Sequence, residues 1–249
     1  MKKHLFLLLI SFASFLNAQK VKNPESAVLI QPSLGIQFAG GDMGDRFGQS
    51  LSAGLAVGYK TNKNWTWSLQ GQYMFGTDVR NTNRLLNALT TNSGDILNQV
   101  GNYTSFSLSQ RGAYGLAEVG KTTKWLAANP NSGIGFSMGA GYLIHWVEID
   151  NAGNSIPQLE EEYRKGYDES SGGFMLKQSI GYTFLSPKKR INFKFSFELL
   201  EAFTTNYRKF DYSTGRPTSG TNFDLIYGFR LDWILPIYTG GSSQTFYYD

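Results

Sequence analysis

The sequence predicts an all-β protein: an eight-stranded antiparallel up-and-down barrel that crosses a membrane. Three observations support this prediction. Apolar and polar residues alternate in eight segments, most of them near the ~9–11 residues that a tilted strand needs to cross a bilayer. The segments are joined alternately by short and long connections. Aromatic residues make up 15% of the chain, which suits a surface that faces lipid.

The composition narrows the class of protein further. Beyond the first segment there is no run of the ~20 apolar residues that a spanning helix needs. The chain has no cysteine, which excludes disulfides, zinc–thiolate sites and iron–sulfur clusters. Its net charge of +4 does not concentrate on one basic face, as nucleic-acid binding would require. We therefore expect no nucleic-acid partner and no cofactor.

Residues 1–18 have the layout of a secretory signal peptide. Lys2 and Lys3 precede an apolar stretch that is too short for a spanning helix. We expect cleavage after Ala18, which leaves residues 19–238 as the barrel and 239–249 as a periplasmic tail. An uncleaved anchor is the alternative.

The first four strands are predicted from their period of two. In segments 27–40, 50–60 and 65–75, bulky apolar residues take every second position, and mainly glutamine, serine and glycine fill the others. The fourth segment, 105–120, alternates less regularly. Its phase slips near Gln110, so a bulge is expected there.

The last four strands alternate more clearly, in segments 133–149, 173–184, 191–199 and 223–235. INFKFSFEL at 191–199 sets phenylalanines on one face and charges on the other. In a soluble sandwich the apolar faces would meet each other, and in a lipocalin-like barrel they would line the interior. Because this face is so aromatic, we expect it to meet lipid.

The connections differ in length on the two sides of the predicted barrel. Short turns on one side and long loops on the other are typical of a bacterial outer-membrane barrel. This layout predicts a Gram-negative outer membrane, with both termini and the short turns in the periplasm and the long loops outside. The turns are 61–64, about 129–131 and 186–189, and the loops are 41–49, 79–104, 150–172 and 206–222.

The interior of an eight-stranded barrel is just wide enough for side chains to fill, so a closed lumen is expected. Symmetric pairing about loop 206–222 places Glu198 opposite Arg230, and Lys194 diagonal to Asp232. Buried charges are costly unless paired. We therefore predict a structural ion-pair network, with a gated proton or ion path as the alternative. Its members are Lys177, Lys194, Glu198, Arg230 and Asp232, accompanied by Gln31, Gln37, Gln70 and Gln72.

His145 is the only histidine after residue 18. It is predicted to face inward near the outer end of its strand. Acyl transfer by a serine needs a base within hydrogen-bond reach, and no motif places Ser170 or Ser171 beside His145; Asp168 and Asp224 imitate an aspartate-based protease only loosely. We expect a hydrogen-bonded rim residue and no enzyme. The alternative is a lipid A-modifying enzyme or protease that uses His145.

The loops and the tail supply the candidate partner surfaces. Loop 79–104 is predicted to form one or two short amphipathic helices, from the spacing of Leu85, Leu86, Leu89, Ile96, Leu97 and Val100. The acidic residues of loop 150–172 lack calcium-loop spacing, so no metal is expected. Tyrosine and arginine are enriched in interfaces. The predicted contacts are therefore Tyr207, Arg208, Phe210 and Tyr212, with Phe246, Tyr247 and Tyr248 of the tail.

The strand and loop layout resembles the transmembrane domain of OmpA and the OmpX barrel over nearly the whole chain after residue 18. The signal end LNAQK, the segment DWILPIY and the trailing FYYD are similar to those of small barrels of Bacteroidota. These include PorT-like subunits of the type IX secretion system and accessory subunits of outer-membrane assembly complexes. The resemblance implies a structural or accessory subunit that contacts outer-membrane lipid, lipopolysaccharide and other envelope proteins.

Overall fold

Eight antiparallel strands close into one barrel in the computed structural model. It describes residues 24–81, 85–86, 96–98, 100–104, 106–151, 156, 159, 166–186, 190–208, 210–211, 215–218 and 220–239. Each strand pairs with the next along the chain, and the eighth pairs with the first. The strands are β1 (Ala27–Gly40), β2 (Gln49–Lys60), β3 (Trp65–Gly76), β4 (Phe106–Thr122), β5 (Gly133–Asn151), β6 (Ser171–Leu185), β7 (Asn192–Asn206) and β8 (Thr221–Trp233, continued by Leu235–Tyr238).

The interruption of β8 at Ile234 has a local cause on the neighbouring strand. The register of β1 against β8 is the same on both sides of it, so no residue is inserted. Pro32 lies in β1 at this level, and proline has no N–H to donate to a ladder. In register Pro32 faces Trp233. On the other side of β8, the Ile234 amide donates to the Asn192 carbonyl at 2.9 Å.

Three short elements lie outside the barrel wall. Helix α1 (Gly41–Gly44) follows β1 directly, and its first residue has φ +59°. A β-carbon on Gly41 would collide with the Phe223 carbonyl oxygen, so this entry to the lumen requires glycine. The other two elements are two-residue ladders, Ile96–Leu97 with Tyr103–Thr104 and Phe210–Asp211 with Arg216–Pro217. Among the described residues, no helix is long and apolar enough to span a membrane.

Two sequence predictions about these elements are wrong. Ile96 and Leu97 form a strand rather than a helix, while Leu89 lies outside the described residues. The expected bulge near Gln110 is absent, because β4 keeps one register against both neighbours over its paired length. Tyr114 and Leu116 face the lumen there and are buried, which reverses the expected apolar-out pattern.

The predicted pairing of β7 with β8 is also wrong, by two residues. Asp232 lies directly opposite Lys194, Arg230 opposite Ser196, and Glu198 opposite Gly228. The ladder begins with Thr221 against Thr205, so the closing pair is not centred on the predicted loop. A shift of two residues preserves which side chains share a face, and the predicted inward residues therefore still point into the lumen.

The lumen is filled, and its two halves differ in chemistry. The half nearer the loops holds an apolar cluster that joins wall residues to α1 and loop residues: Met43, Phe47, Met74, Leu143, Met175 and Leu200 are buried there, with Ile156 and Leu159 from a loop. The half nearer the short turns holds charged and amide side chains. Outward positions are mostly large, apolar and exposed.

Candidate functional site

The centre of the charged half is Lys177, whose side chain has no exposed surface. Its ammonium nitrogen lies 2.6 Å from Glu118 Oε2 and 2.8 Å from Glu198 Oε1. It also donates to Gln70 Oε1 at 2.8 Å. A buried ammonium has three hydrogens to place. Gln70 and Glu118 accept hydrogen bonds from it, whereas the contact with Glu198 is an ion pair.

Arg230 extends this network along β8. Its Nη2 lies 3.0 Å from Glu198 Oε1, and its Nε lies 3.1 Å from Asp232 Oδ1. Lys194 is 3.5 Å from Glu118 Oε1. Three cations thus face three carboxylates, which balances the charge of the network. Arg230 Nη1 is buried there without a hydrogen-bond partner among the described residues.

Glu118 is the member that the sequence analysis missed. It forms ion pairs with both Lys177 and Lys194. The irregular alternation of β4 near Gln110 hid which of its residues face inward. The inward positions of β4 are even-numbered throughout, and this constant parity is the signal that would have identified Glu118.

The network leaves little free space. The cavity in this half of the lumen is about 50 Å³, far below the ~300–1,000 Å³ of small-molecule sites. Toward the loops the charged network ends at Tyr114, whose hydroxyl accepts a hydrogen bond from Gln37 Nε2 at 3.1 Å. Met43, Met74 and Leu143 lie fully buried beyond it. An ion would lose its hydration in crossing this apolar layer at high cost, so the arrangement is that of a sealed structural core.

A second polar cluster lies at the loop end of the lumen, around Asp224. His145 Nε2 is 2.8 Å from Asp224 Oδ2, and Thr204 Oγ1 donates to the same oxygen at 2.6 Å. Arg46 Nη2 lies 3.3 Å from Asp224 Oδ1. His145, Thr204 and Asp224 are completely buried. The cluster therefore ties the segment after α1 to β5, β7 and β8.

The hydroxyl of Ser171, one of the two candidate nucleophiles, is hydrogen-bonded to groups other than His145. Ser171 is directly opposite His145 in the register, but its hydroxyl donates to the Glu169 carbonyl at 3.1 Å. Arg46 Nη1 approaches the same hydroxyl at 3.5 Å. Ser171 has no exposed surface, so a substrate has no access to it. This geometry serves to anchor loops to the wall.

Of the predicted partner residues in loop 206–222, two are exposed and one points toward the protein. Tyr207 is 54% exposed and Phe210 44% exposed. Arg208 instead turns toward the protein, where it bonds to the Gly166 carbonyl and lies 3.7 Å from Asp168. Tyr212 lies outside the described residues, as do Phe246, Tyr247 and Tyr248 of the tail.

Tyr207 contacts Tyr142 on the outer wall. Its hydroxyl is 3.0 Å from that of Tyr142. Desolvation, together with this hydrogen bond, raises the pKa of Tyr207 to about 12. The phenol therefore stays protonated at physiological pH and the contact is a neutral hydrogen bond.

Metal binding has no evident site in the part of the chain that the structure describes. No group of three or more histidine, aspartate or glutamate side chains there is arranged to hold an ion. The run Glu160, Glu161 and Glu162 lies outside the described residues.

The closed barrel, its apolar outer wall and the charged half of its lumen together define the architecture of an outer-membrane β-barrel. No protein-family model and no curated protein matches the chain. One similar solved structure is that of Ail, the attachment invasion locus protein of Yersinia pestis, in complex with the heparin analogue sucrose octasulfate. The two share 9% identity with a TM-score of 0.41, over 85% of this chain and 99% of the Ail chain. The outer membrane protein OprG from Pseudomonas aeruginosa is similar at 12% identity and a TM-score of 0.37, over 87% and 96%.

Proposed function

We propose that this chain is a non-enzymatic outer-membrane barrel that serves as a structural or accessory subunit of a cell-envelope complex in a Gram-negative bacterium. Following the sequence resemblance, the complex is one for secretion or for outer-membrane protein assembly, of the PorT-like kind found in Bacteroidota. Residues 1–18 are removed as a signal peptide, both termini lie in the periplasm, and the long loops face outward into contact with lipopolysaccharide.

The outer wall supports the membrane part of this proposal. Leu34, Leu69 and Trp233 are among many large apolar side chains that remain more than half exposed. Soluble monomers rarely expose contiguous apolar patches of more than a few hundred Å², whereas a transmembrane barrel carries an apolar band about 25 Å tall. Lipid around this wall covers the band.

The observation that carries the subunit proposal is Gln178, an exposed amide on the outer face of β6. In the register it lies between Met138 of β5 and Leu199 of β7, within the apolar band. Glu201 also faces outward, opposite Leu176 and Leu225. Within the described residues neither side chain has a hydrogen bond or ion pair.

Polar side chains that face hydrocarbon are costly and usually find a partner. A neighbouring transmembrane segment that offers a hydrogen-bonding group satisfies the amide, as polar residues do between membrane-embedded segments. This face of β6 and β7 is therefore the proposed contact with another envelope protein. The exposed Tyr207 and Phe210 extend the contact to the loop side, and the tail residues Phe246, Tyr247 and Tyr248 offer a further one in the periplasm.

Site-specific photo-crosslinking in intact cells tests the proposal. A photoreactive residue at position 178 should yield a discrete crosslinked species, while one at position 34, across the barrel, should not. Gln178→Leu should weaken co-purification of the crosslinked protein, and Gln49→Leu, at the loop end of β2, should not. Crosslinking to lipid alone from both positions, with a barrel that purifies as a monomer, would contradict the subunit proposal.

A further inference from the structure

The outer wall contains an open recess of about 720 Å³ over β3, β4 and β5. Ala117 and Ala140 form its floor, Trp67 and Leu69 one side, and Met138 and Leu176 the other. Its volume is within the ~300–1,000 Å³ range of small-molecule sites. It lies on the outer side of the barrel wall, and Glu118 of the charged network is among the residues that line it.

The recess exists because the outward residues at the middle of β4 are small. Ala117 lies in register between Leu69 and Ala140, and Gly115 between Gly71 and Tyr142. A β-carbon added to Gly71 would meet no atom within 4 Å. The large side chains of the neighbouring strands therefore project further from the wall than the small residues of β4 between them.

The first cation beyond the turn-side end of the recess is Lys121, which is not itself one of the lining residues. Lys121 follows Val119 on the outer face of β4, and its ammonium lies 4.6 Å from the ring centroid of Trp65. Of all outward positions in the eight strands, only two carry lysine or arginine, and both are on β4: Arg111 and Lys121. Their ten-residue separation corresponds to roughly 23 Å of depth at ~3.3 Å per residue and a tilt near 45°. This is close to the ~25 Å height of an apolar band, so each cation lies near one edge of it.

We propose that the recess binds an acyl chain of a phospholipid in the turn-side leaflet, and that Lys121 binds the phosphate of the same lipid. The inference rests on the proposed membrane placement. Lys121 is about 9 Å deeper toward the turns than Ala117 by the same rise and tilt. Trp65 and Trp67 lie at its level, where aromatic side chains meet lipid headgroups. An apolar groove that ends at a cation matches an acyl chain that ends at a phosphate.

Native mass spectrometry of the delipidated barrel in detergent micelles, titrated with phosphatidylglycerol, tests this site. Ala117→Phe fills the recess and Lys121→Gln removes the cation, and each should weaken binding of the first lipid at least fivefold. The matched controls are Ala53→Phe, an outward alanine on β2 outside the recess, and Arg111→Gln, the other outward cation. Both controls should change binding less than twofold. With diacylglycerol, which has no phosphate, Lys121→Gln should have no effect while Ala117→Phe should still weaken binding.

The outcomes separate this proposal from the one on which it rests. If the wild type neither binds detergent nor inserts into phosphatidylcholine vesicles, the membrane placement is wrong. If it inserts, but Ala117→Phe and Lys121→Gln bind phosphatidylglycerol like the wild type, the lipid site is overturned. Equal losses for Ala53→Phe and Ala117→Phe would mean non-specific annular lipid and would overturn it as well. Lys121→Gln leaves the recess unfilled, so it keeps the test valid if Ala117→Phe does not fold.

Discussion

Replacing Leu34 by arginine tests whether the outer wall faces lipid. Leu34 is 67% exposed and lies near the middle of β1, roughly 14–16 Å along the barrel axis from either strand end at ~3.3 Å per residue and a tilt near 45°. An arginine on the lipid face costs about 2–4 kcal/mol at the bilayer midplane and about 0–1 kcal/mol near the interfaces. Leu34→Arg should therefore destabilise the barrel by about 2–4 kcal/mol.

Ile191 provides a matched control. It is 66% exposed but lies in the turn before β7, so Ile191→Arg should cost no more than about 1 kcal/mol. Equilibrium unfolding by guanidinium in phosphatidylcholine vesicles, followed by tryptophan fluorescence, measures both values. If the two variants agree within about 0.5 kcal/mol, as solvent-exposed substitutions do, the wall does not face lipid. A wild type that dissolves as a compact monomer without detergent would refute the reasoning directly.

The remaining predictions concern the interior. Lys177→Met removes a fully buried cation from between Glu118 and Glu198 and should destabilise the barrel by about 3–5 kcal/mol, measured by urea unfolding. Adding Glu118→Gln restores the charge balance and should recover part of that stability. If it recovers none, the ion-pair network is contradicted. His145→Ala removes one donor to Asp224 and should increase proteolysis of the loops. It should leave lipid A and peptide turnover by the cells unchanged, and a loss of turnover would establish the enzymatic alternative. The wild type should give no stable conductance in planar bilayers, and reproducible current steps would contradict the sealed lumen.

Alternation was enough to predict most of the strands and their inward faces, because in a strand it determines which side chains share a face. Phe195 and Phe197 point outward while Lys194 and Glu198 point inward, as the segment INFKFSFEL indicates. A register error of two residues changed the cross-strand neighbours without changing any face. Loop length does not determine which pair closes a hairpin, so the sequence did not predict that register.

Period-two patterns were least informative where the lumen itself is apolar. Tyr114, Leu143 and Met175 point inward and are buried, although a polar interior was expected from the membrane-barrel pattern. They are covered by α1 and by loop residues such as Ile156, and this packing between distant parts of the chain leaves no signal within one strand. The outward residues of β4 are small, so the difference between its outward and inward positions is weak in the sequence. Glu118 was therefore not identified as an inward residue.

The filled interior limits where this protein can act. Its charges are paired within the turn-side half, its loop-side half is apolar and dense, and His145 is enclosed at the rim. An eight-stranded wall has no width left for a passage beside such contents. We therefore expect recognition to take place on the outer wall, on the loops or at the tail. On the wall, Gln178 and the recess beside Lys121 are among the features that lipid chains alone do not explain, because an amide and a cation both require polar partners. The two features adjoin, because Gln178 lies directly opposite Met138, which forms one side of the recess. A partner held at Gln178 would therefore border the lipid at Lys121.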